Sequence, residues 1–372
     1  VTNDQLVFET QDQGTTTQHR LMYDGEQVSQ LWVGDLMMRI GSCAVRMGGI
    51  GGVGTDRTHR HKGYARTLLE NCNRWMAESG YDCALLFGIP NFYDRFGYAV
   101  CLPDCRYEIP TRAAERAQRK LIERPFAPDD RPALEAIYAS NNKDLTGSLV
   151  RNADTPWFSN GYWGSASRKS SVFVTGDGEI VAYSVRNDEE ENLTVCEAGA
   201  TRPAYFDDII RSAAEIAIEK RVEKIVFQAP PDSRIGHALS KFGAIQTLIF
   251  PYERNGMGRI LNLDSFFEKT LPEWTHRAQS APGLPENRSL LVETDIGWVT
   301  LTRNGKKITL NEDHVAAGTI HLSQAHLMQL AMGYHDADTI LTLPEVDSTG
   351  DIRLSHALFP RRLGHMWQAD HF

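Results

Sequence analysis

The residues most suited to chemistry lie between positions 47 and 98. Met47-Gly48-Gly49-Ile50-Gly51-Gly52-Val53-Gly54 puts glycine repeatedly into a strand-like run. Glycine weakens a strand interior, so such a run implies that another group must approach the backbone closely. A basic turn follows at once, Thr55-Asp56-Arg57-Thr58-His59-Arg60-His61-Lys62-Gly63-Tyr64-Ala65, and a helical period begins at its end. The free amides of a helix start, at its positive dipole end, form a site for pyrophosphate. Gly63 removes the side chain where a phosphate would sit, Ala65 keeps the next turn slim, and Arg57, Arg60 and Lys62 add local positive charge. The glycine-rich strand would leave backbone open for a pantetheine arm to pair with, as an added strand would. A second cluster, Pro90-Asn91-Phe92-Tyr93-Asp94-Arg95-Phe96-Gly97-Tyr98, sets Tyr93 among rings that can simply pack together.

Other chemistries find little support. Cys43, Cys72, Cys83, Cys101, Cys105 and Cys196 form no CxxC pair, and Cys101-x3-Cys105 has no His or Cys cluster behind it. A zinc site needs about four converging ligands, so no metal is expected. The thiols read as reduced, several of them filling cores. The twelve histidines show no HExxH.

The elements that must position these residues follow from periodicity. Leu21–Tyr23, the turn Asp24-Gly25, Val28–Met38 and, after Gly41, Cys43–Val53 read as strands. Tyr64, Ala65, Leu68, Leu69, Cys72, Trp75 and Met76 then recur at helical spacing, with Gly80 as a stop. Ala84–Phe87 is a short buried strand. From Phe126 the scheme repeats: Asp129 or Asp130 capping a helix with Leu134, Ile137 and Tyr138; a hairpin of Val172–Thr175 and Ile180–Val185 around Gly176-Asp177-Gly178; a helix over Phe206–Lys220; and the strand Lys224–Gln228, then Ala238–Phe242. Past Asn255–Gly258 come a helical segment around Leu263–Leu271, a loop Ser280–Arg288, strands at Leu290–Thr294, Trp298–Thr302 and Lys307–Leu310, and a helix Ser323–Met332.

Length and composition agree with several packed domains. At roughly 150 residues per domain, 372 residues make two to three, and 41% hydrophobic with 23% charged residues can bury real cores. No run approaches the roughly 18 apolar residues of a membrane span, and Val1–Arg20 is polar, unlike a signal peptide. A net charge of -9 argues against wholesale binding of nucleic acid.

Arg60-x-x-Gly63-x-Ala65, with the strand before it and the helix after it, resembles the R/Q-x-x-G-x-G/A signature of the acetyl-coenzyme A-dependent N-acetyltransferase (GNAT) superfamily. Phe92-Tyr93-Asp94-Arg95-Phe96-Gly97-Tyr98 is similar to the segment that closes many such domains. Two blocks of this kind followed by a small α+β block resemble the Eis (enhanced intracellular survival) family. The resemblance implies an α+β, mixed α/β fold: a catalytic acetyltransferase domain over 1–115, a degenerate second one over 116–255, and a sterol-carrier-like α+β domain over 256–372. It implies acetyl-CoA as co-substrate, bound by Ile50, Gly51, Gly52, Val53, Gly54, Thr55, Arg60, His61, Lys62, Gly63, Tyr64, Ala65 and Asn91. Catalysis would fall to Tyr93, protonating the leaving thiolate, and to Phe372, whose α-carboxylate would take the amine's proton in the active site. A thiol of pKa about 8.5 against a phenol of about 10 means that the site must help this transfer.

The expected activity is direct transfer of an acetyl group to a primary amine, of aminoglycoside, polyamine or lysine type. A soluble cytoplasmic homo-oligomer, trimer or hexamer, is expected, with no nucleic-acid or membrane partner. The competing expectation is a carrier of apolar ligands using Trp274, Trp298 and Leu327–Leu330, or a scaffold built on a retired acetyltransferase. Two departures bear on this. Glu197-Ala198-Gly199-Ala200-Thr201-Arg202-Pro203 stands where the second block's phosphate loop would lie and lacks the signature glycine. Val1–Gln18 is short, with only Leu6-Val7-Phe8 as a candidate strand, leaving little room for the two helices that help to wall the family's acceptor pocket.

Overall fold

The computed structural model describes residues 6–152, 168–187, 193–252 and 254–372. Along the chain come β1 (Leu6–Asp12), β2 (Thr16–Tyr23), β3 (Glu26–Ile40), β4 (Cys43–Thr55), α1 (Tyr64–Glu78), β5 (Cys83–Gly88) and β6 (Ala99–Val100). Then follow β7 (Asp104–Pro110), α2 (Thr111–Ala114), β8 (Ile122–Pro125), α3 (Arg131–Asn141), β9 (Arg168–Val174), β10 (Ile180–Asn187), β11 (Leu193–Ala200), α4 (Phe206–Glu219), β12 (Lys224–Gln228), α5 (Arg234–Ser240) and β13 (Ile245–Ile249). The last stretch holds β14 (Asn255–Ile260), α6 (Leu263–Ser280), β15 (Asn287–Thr294), β16 (Gly297–Asn304), β17 (Lys307–Asn311), β18 (Gly318–His321), α7 (Gln324–Ala331), α8 (Ala337–Ile340), β19 (Asp347–Gly350) and α9 (Arg353–Leu358).

The chain forms two compact units: residues 1–102 with 251–364 and 372, and residues 103–250 with 365–371. These limits differ from breaks after 115 and 255 because strand pairing crosses both. β7 pairs with β12 and β13 in the second unit's sheet, and β14 pairs with β5 and β6 in the first unit's sheet. The C-terminal block has its own five-stranded sheet, in the order β17-β16-β15-β18-β19, yet clusters with the first domain in one unit.

In the first unit the described residues give a seven-stranded mixed sheet, β1-β2-β3-β4-β5-β14-β6. Asp24 and Gly25, both at positive φ, make the two-residue turn between β2 and β3. β1 runs well beyond the expected Leu6–Phe8 and joins β2 through Gln13-Gly14-Thr15, so among the described residues no helix precedes residue 57. On α1, Tyr64, Leu68, Leu69, Cys72 and Met76 are buried at helical spacing against the sheet, and Gly80 at φ 78 ends the helix as expected.

The second unit repeats this plan as β13-β7-β12-β11-β10-β9-β8, with α4 packed on the sheet. Here α3 lies between β8 and β9, where the first unit has only a turn. Asp130 is the residue before α3 but does not cap it with its side chain, because its carboxylate accepts instead from Arg124 and the Ala127 N–H. Residues 238–242 are not a strand: α5 occupies 234–240 and the strand is β13. The helix expected around 263–271 continues to Ser280 through Pro272, since burial of Trp274, Arg277 and Ala278 offsets the break that proline invites. All six cysteines are buried.

Candidate active site

β4 and β5 pair in parallel only from Met47–Ile50 against Cys83–Leu86. Beyond Ile50, β4 keeps its bonds to β3 while Phe87 and Gly88 keep theirs to β14, so the two central strands part and leave one edge of β4 open. A bulge drives this. Gly51 faces Trp32 and Gly54 faces Gln30, so Gly52 and Val53 together oppose Leu31, with Gly52 at φ 60. Residues 51–55 of this strand are half-buried, as a strand edge waiting for a partner would be.

The glycine run therefore divides. An added Cβ at Gly48 would lie 2.4 Å from the Met76 sulfur, and one at Gly49 would lie 2.9 Å from Leu36 and 3.0 Å from the Phe372 ring. Close packing explains those two, and the bulge explains Gly52. Ile50 is itself a core residue, 2% exposed, so only its backbone faces the cleft's start.

From the open end of β4 the chain makes a short 3-10 turn over Arg57–His59, capped by the Asp56 side chain, and enters α1. His61 and Gly63 both have positive φ, at 63 and 87. Because an added Cβ at Gly63 would meet nothing within 4 Å, glycine is required there by the backbone turn rather than by crowding. Gly63 is also the helix N-cap and offers no side-chain cap, and no acidic residue lies in the first turn. The amides of Tyr64, Ala65 and Arg66 thus begin the helix without a carboxylate or hydroxyl lid. Arg60, His61 and Lys62 are exposed around them, with Arg60 Nε donating to the Thr55 carbonyl at 3.4 Å. The Tyr64 ring is buried beside Tyr23 and His59, so its part here is that of its amide.

At the far side of the cleft, β5 ends beside both residues expected to be catalytic. Tyr93 packs over Gly88, whose added Cβ would be 3.0 Å from its ring, and stands edge-on to Phe92 at 4.9 Å. Its phenol is nearly buried, which pushes its pKa above the ordinary value by desolvation. The Phe372 ring sits edge-on to Phe87 at 5.7 Å and against Gly49. Asn91 is exposed at φ 59 in the link from Gly88 to Tyr93. Phe87 and Gly49, which frame the Phe372 ring, carry no chemical signal of their own in the sequence.

An open, bulged central strand parting from a parallel neighbour, beside an uncapped helix start, defines a mixed α/β fold of the acetyltransferase kind. Residues 11–101 match the family model of the acetyltransferase (GNAT) domain, so the first unit carries such a domain. Solved N-acetyltransferase structures share the fold over nearly the whole chain. A probable N-acyltransferase of unknown function from Enterococcus faecalis matches at TM-score 0.77 and 16% identity, covering 96% of this chain and 89% of its own. A GCN5-related N-acetyltransferase from Anabaena variabilis matches at 0.73 and 17%, covering 95% and 89%. Eis1 from Mycobacterium abscessus matches at 0.67 and 16%, covering 97% and 92%. No curated protein sequence matches the chain. Among the described residues no group of three or more His, Cys, Asp or Glu could hold a metal, and no helix is long and apolar enough to cross a membrane.

Proposed function

We propose that the protein is an N-acetyltransferase that moves an acetyl group from acetyl-coenzyme A to a primary amine. The observation that carries this reading is the open edge of β4 over residues 51–55 leading directly into the uncapped start of α1. The donor set suits the co-substrate: backbone of Ile50–Thr55 for an extended amide-bearing arm, and amides from Arg60 to Ala65 with three exposed basic side chains for a pyrophosphate. Acetyl-coenzyme A supplies the activated thioester. Backbone N–H near Val53 would steady the charge that builds on its carbonyl oxygen. Tyr93, its proton held on by burial, gives that proton to the departing thiolate. The carboxylate carried by Phe372 accepts the amine's proton, directly or through water, and no cysteine is needed as a nucleophile. The acceptor class, a small-molecule amine of aminoglycoside, polyamine or lysine type, and a cytoplasmic homo-oligomeric state come with the same reading.

The carrier alternative asks Trp274, Trp298 and Leu327–Leu330 to face a ligand; Trp298 is exposed, but Trp274, Leu327 and Met328 are fully buried in the core. A thermal melt with saturating acetyl-coenzyme A, against adenosine diphosphate as control, tests the proposal. Ligand at about 100 times its dissociation constant adds about 2.7 kcal/mol. A rise in Tm beyond the control is expected, and no rise at any concentration would overturn the reading.

A further inference from the structure

The turn that bears Tyr93 is gripped by side chains far away in sequence. After Phe96 the chain reverses at Gly97, φ 75, and enters β6. Three carbonyls on this stretch meet fixed donors. The Arg259 guanidinium of β14 donates to Phe96, the Gln324 amide to Gly97 at 2.5 Å, and the Gln329 amide to Val100 at 2.9 Å. Gln324, the first residue of α7, is 1% exposed and spends both ends of its amide. Its Oε1 accepts from the Ile260 N–H at 2.9 Å, while its own backbone N–H donates to the Asp295 carboxylate at 2.6 Å. A buried amide matched at both ends has one orientation, because flipping it would put donor against donor and acceptor against acceptor. An added Cβ at Gly97 would lie 2.6 Å from Gln324 Nε2 and 2.8 Å from Arg259 Nη1, so the turn comes as close to this grip as glycine allows.

The other face of the turn is fixed too. The Tyr98 hydroxyl donates to Asn73 Oδ1 of α1 at 2.6 Å, and the Tyr98 N–H donates to the Tyr93 carbonyl. The Tyr98 ring then stands edge-on to Tyr93 at 6.4 Å. With that side anchored in the core, the polar grip from β14 and α7 determines where residues 93–97 lie.

We propose that Gln324, together with Arg259, is a positioning residue for Tyr93, and that the C-terminal block serves the reaction by bracing this turn. The inference rests on the reading of Tyr93 as proton donor. A general acid works only when its proton lies within hydrogen-bond reach of the leaving atom. A turn that drifts by an ångström loses rate without losing co-substrate binding, which belongs to the opposite wall of the cleft.

The test puts 3-fluorotyrosine at position 93 and compares the wild type with Gln324→Met and Gln324→Glu by fluorine NMR. In parallel it measures thiol release from acetyl-coenzyme A with spermidine as the probe amine. In Gln324→Met we expect a broadened fluorine signal and a phenol titrating lower, nearer to free fluorotyrosine. We also expect kcat down about tenfold with KM for acetyl-coenzyme A within about twofold. Gln324→Glu keeps the Ile260 bond but has no donor at neutral pH, so its signal should recover as acid protonates it. An unchanged fluorine signal and titration in folded Gln324→Met overturns the proposal, whether or not spermidine is accepted. If that variant fails to fold, Arg259→Lys is read in the same way. Tyr93→Phe is run alongside: an unchanged rate there removes the proton-donor role, while the fluorine arm still decides whether Gln324 positions the turn.

Discussion

The two units carry the same cleft in opposite conditions. In the second, β11 and β12 pair in parallel over Leu193–Val195 and Ile225–Phe227 and then part, and Cys196 is the bulged residue on β11. Yet β11 is buried along its whole length, whereas the last five residues of β4 are not. What fills the space is polar. Glu197, just past the bulge, accepts two bonds from Arg151, at 2.8 and 2.6 Å, and one from the Tyr183 hydroxyl. Arg151 also donates to Asp370, which accepts from the Tyr138 hydroxyl. Tail residues 365–371 pack in this same unit, with Trp367 Nε1 donating to Asn142 at 2.8 Å. The helix start differs as well. α4 has Asp207 and Asp208 in its first turn, and Asp208 accepts from the amides of Lys120 and Leu121. Neither helix has a side-chain cap, but carboxylates in the first turn of α4 lower the positive potential there and would repel a phosphate, and α1 has none in its first turn. One topology thus leaves the parting of two strands open along β4 and filled by side chains along β11.

The sharpest way to break this comparison is to unseal the second cleft. Arg151→Ala strands the Glu197 and Asp370 carboxylates, both nearly fully buried. Loss of one partner of such a pair costs about 3–5 kcal/mol. Chemical denaturation should register that loss, and a fall below about 1 kcal/mol would mean that the seal is dispensable. In the first cleft, Tyr93→Phe should lower turnover about 100-fold with the acetyl-coenzyme A thermal shift intact. A simultaneous loss of the shift would make Tyr93 a binding residue instead.

Two glycines separate the clefts more finely. Gly63→Ala meets open space but must hold φ 87, costing about 1–2 kcal/mol. It should weaken acetyl-coenzyme A about tenfold or more in calorimetry while lowering Tm by only a few degrees. Gly199→Ala, whose Cβ would lie 2.5 Å from the Tyr183 ring, should do the reverse. The remaining effect is on pH. His365, buried in the tail with no described partner for Nε2, has its pKa lowered to about 3 by desolvation. Its folded pKa lies below the unfolded one, so its neutral form costs nothing above about pH 6.5. Below that, the unfolded chain gains a proton that the folded one refuses, and stability falls by about 1.4 kcal/mol per pH unit down to about pH 3. A His365→Phe variant should lack that share of the slope, and an equal slope in both proteins would acquit His365.

Much of the first cleft was legible because its signals are local. Residues 43–78 show a glycine-rich strand, a basic turn and apolar residues every three to four positions, but the bulge at Gly52 and the left-handed turn at Gly63 came only with the structure. The echo in residues 126–250 was legible for the same reason, through periodicity. Two features were not. A strand's partner leaves no mark on the strand, so nothing in 104–110 or 255–260 reveals which sheet each joins. Proline at 272 reads locally as a stop, and only the burial of Trp274 and Arg277 carries the helix on to Ser280.

The sequence by itself determined that a glycine-rich strand, a basic turn and a helix start follow one another, since each depends on the conformational limits of residues a few positions apart. Only the tertiary structure decided that the same parting of strands stays open in one unit and is sealed in the other. Arg151, Glu197 and Asp370 lie far apart along the chain, and the free energy of their meeting exists only once folding has removed water from all three.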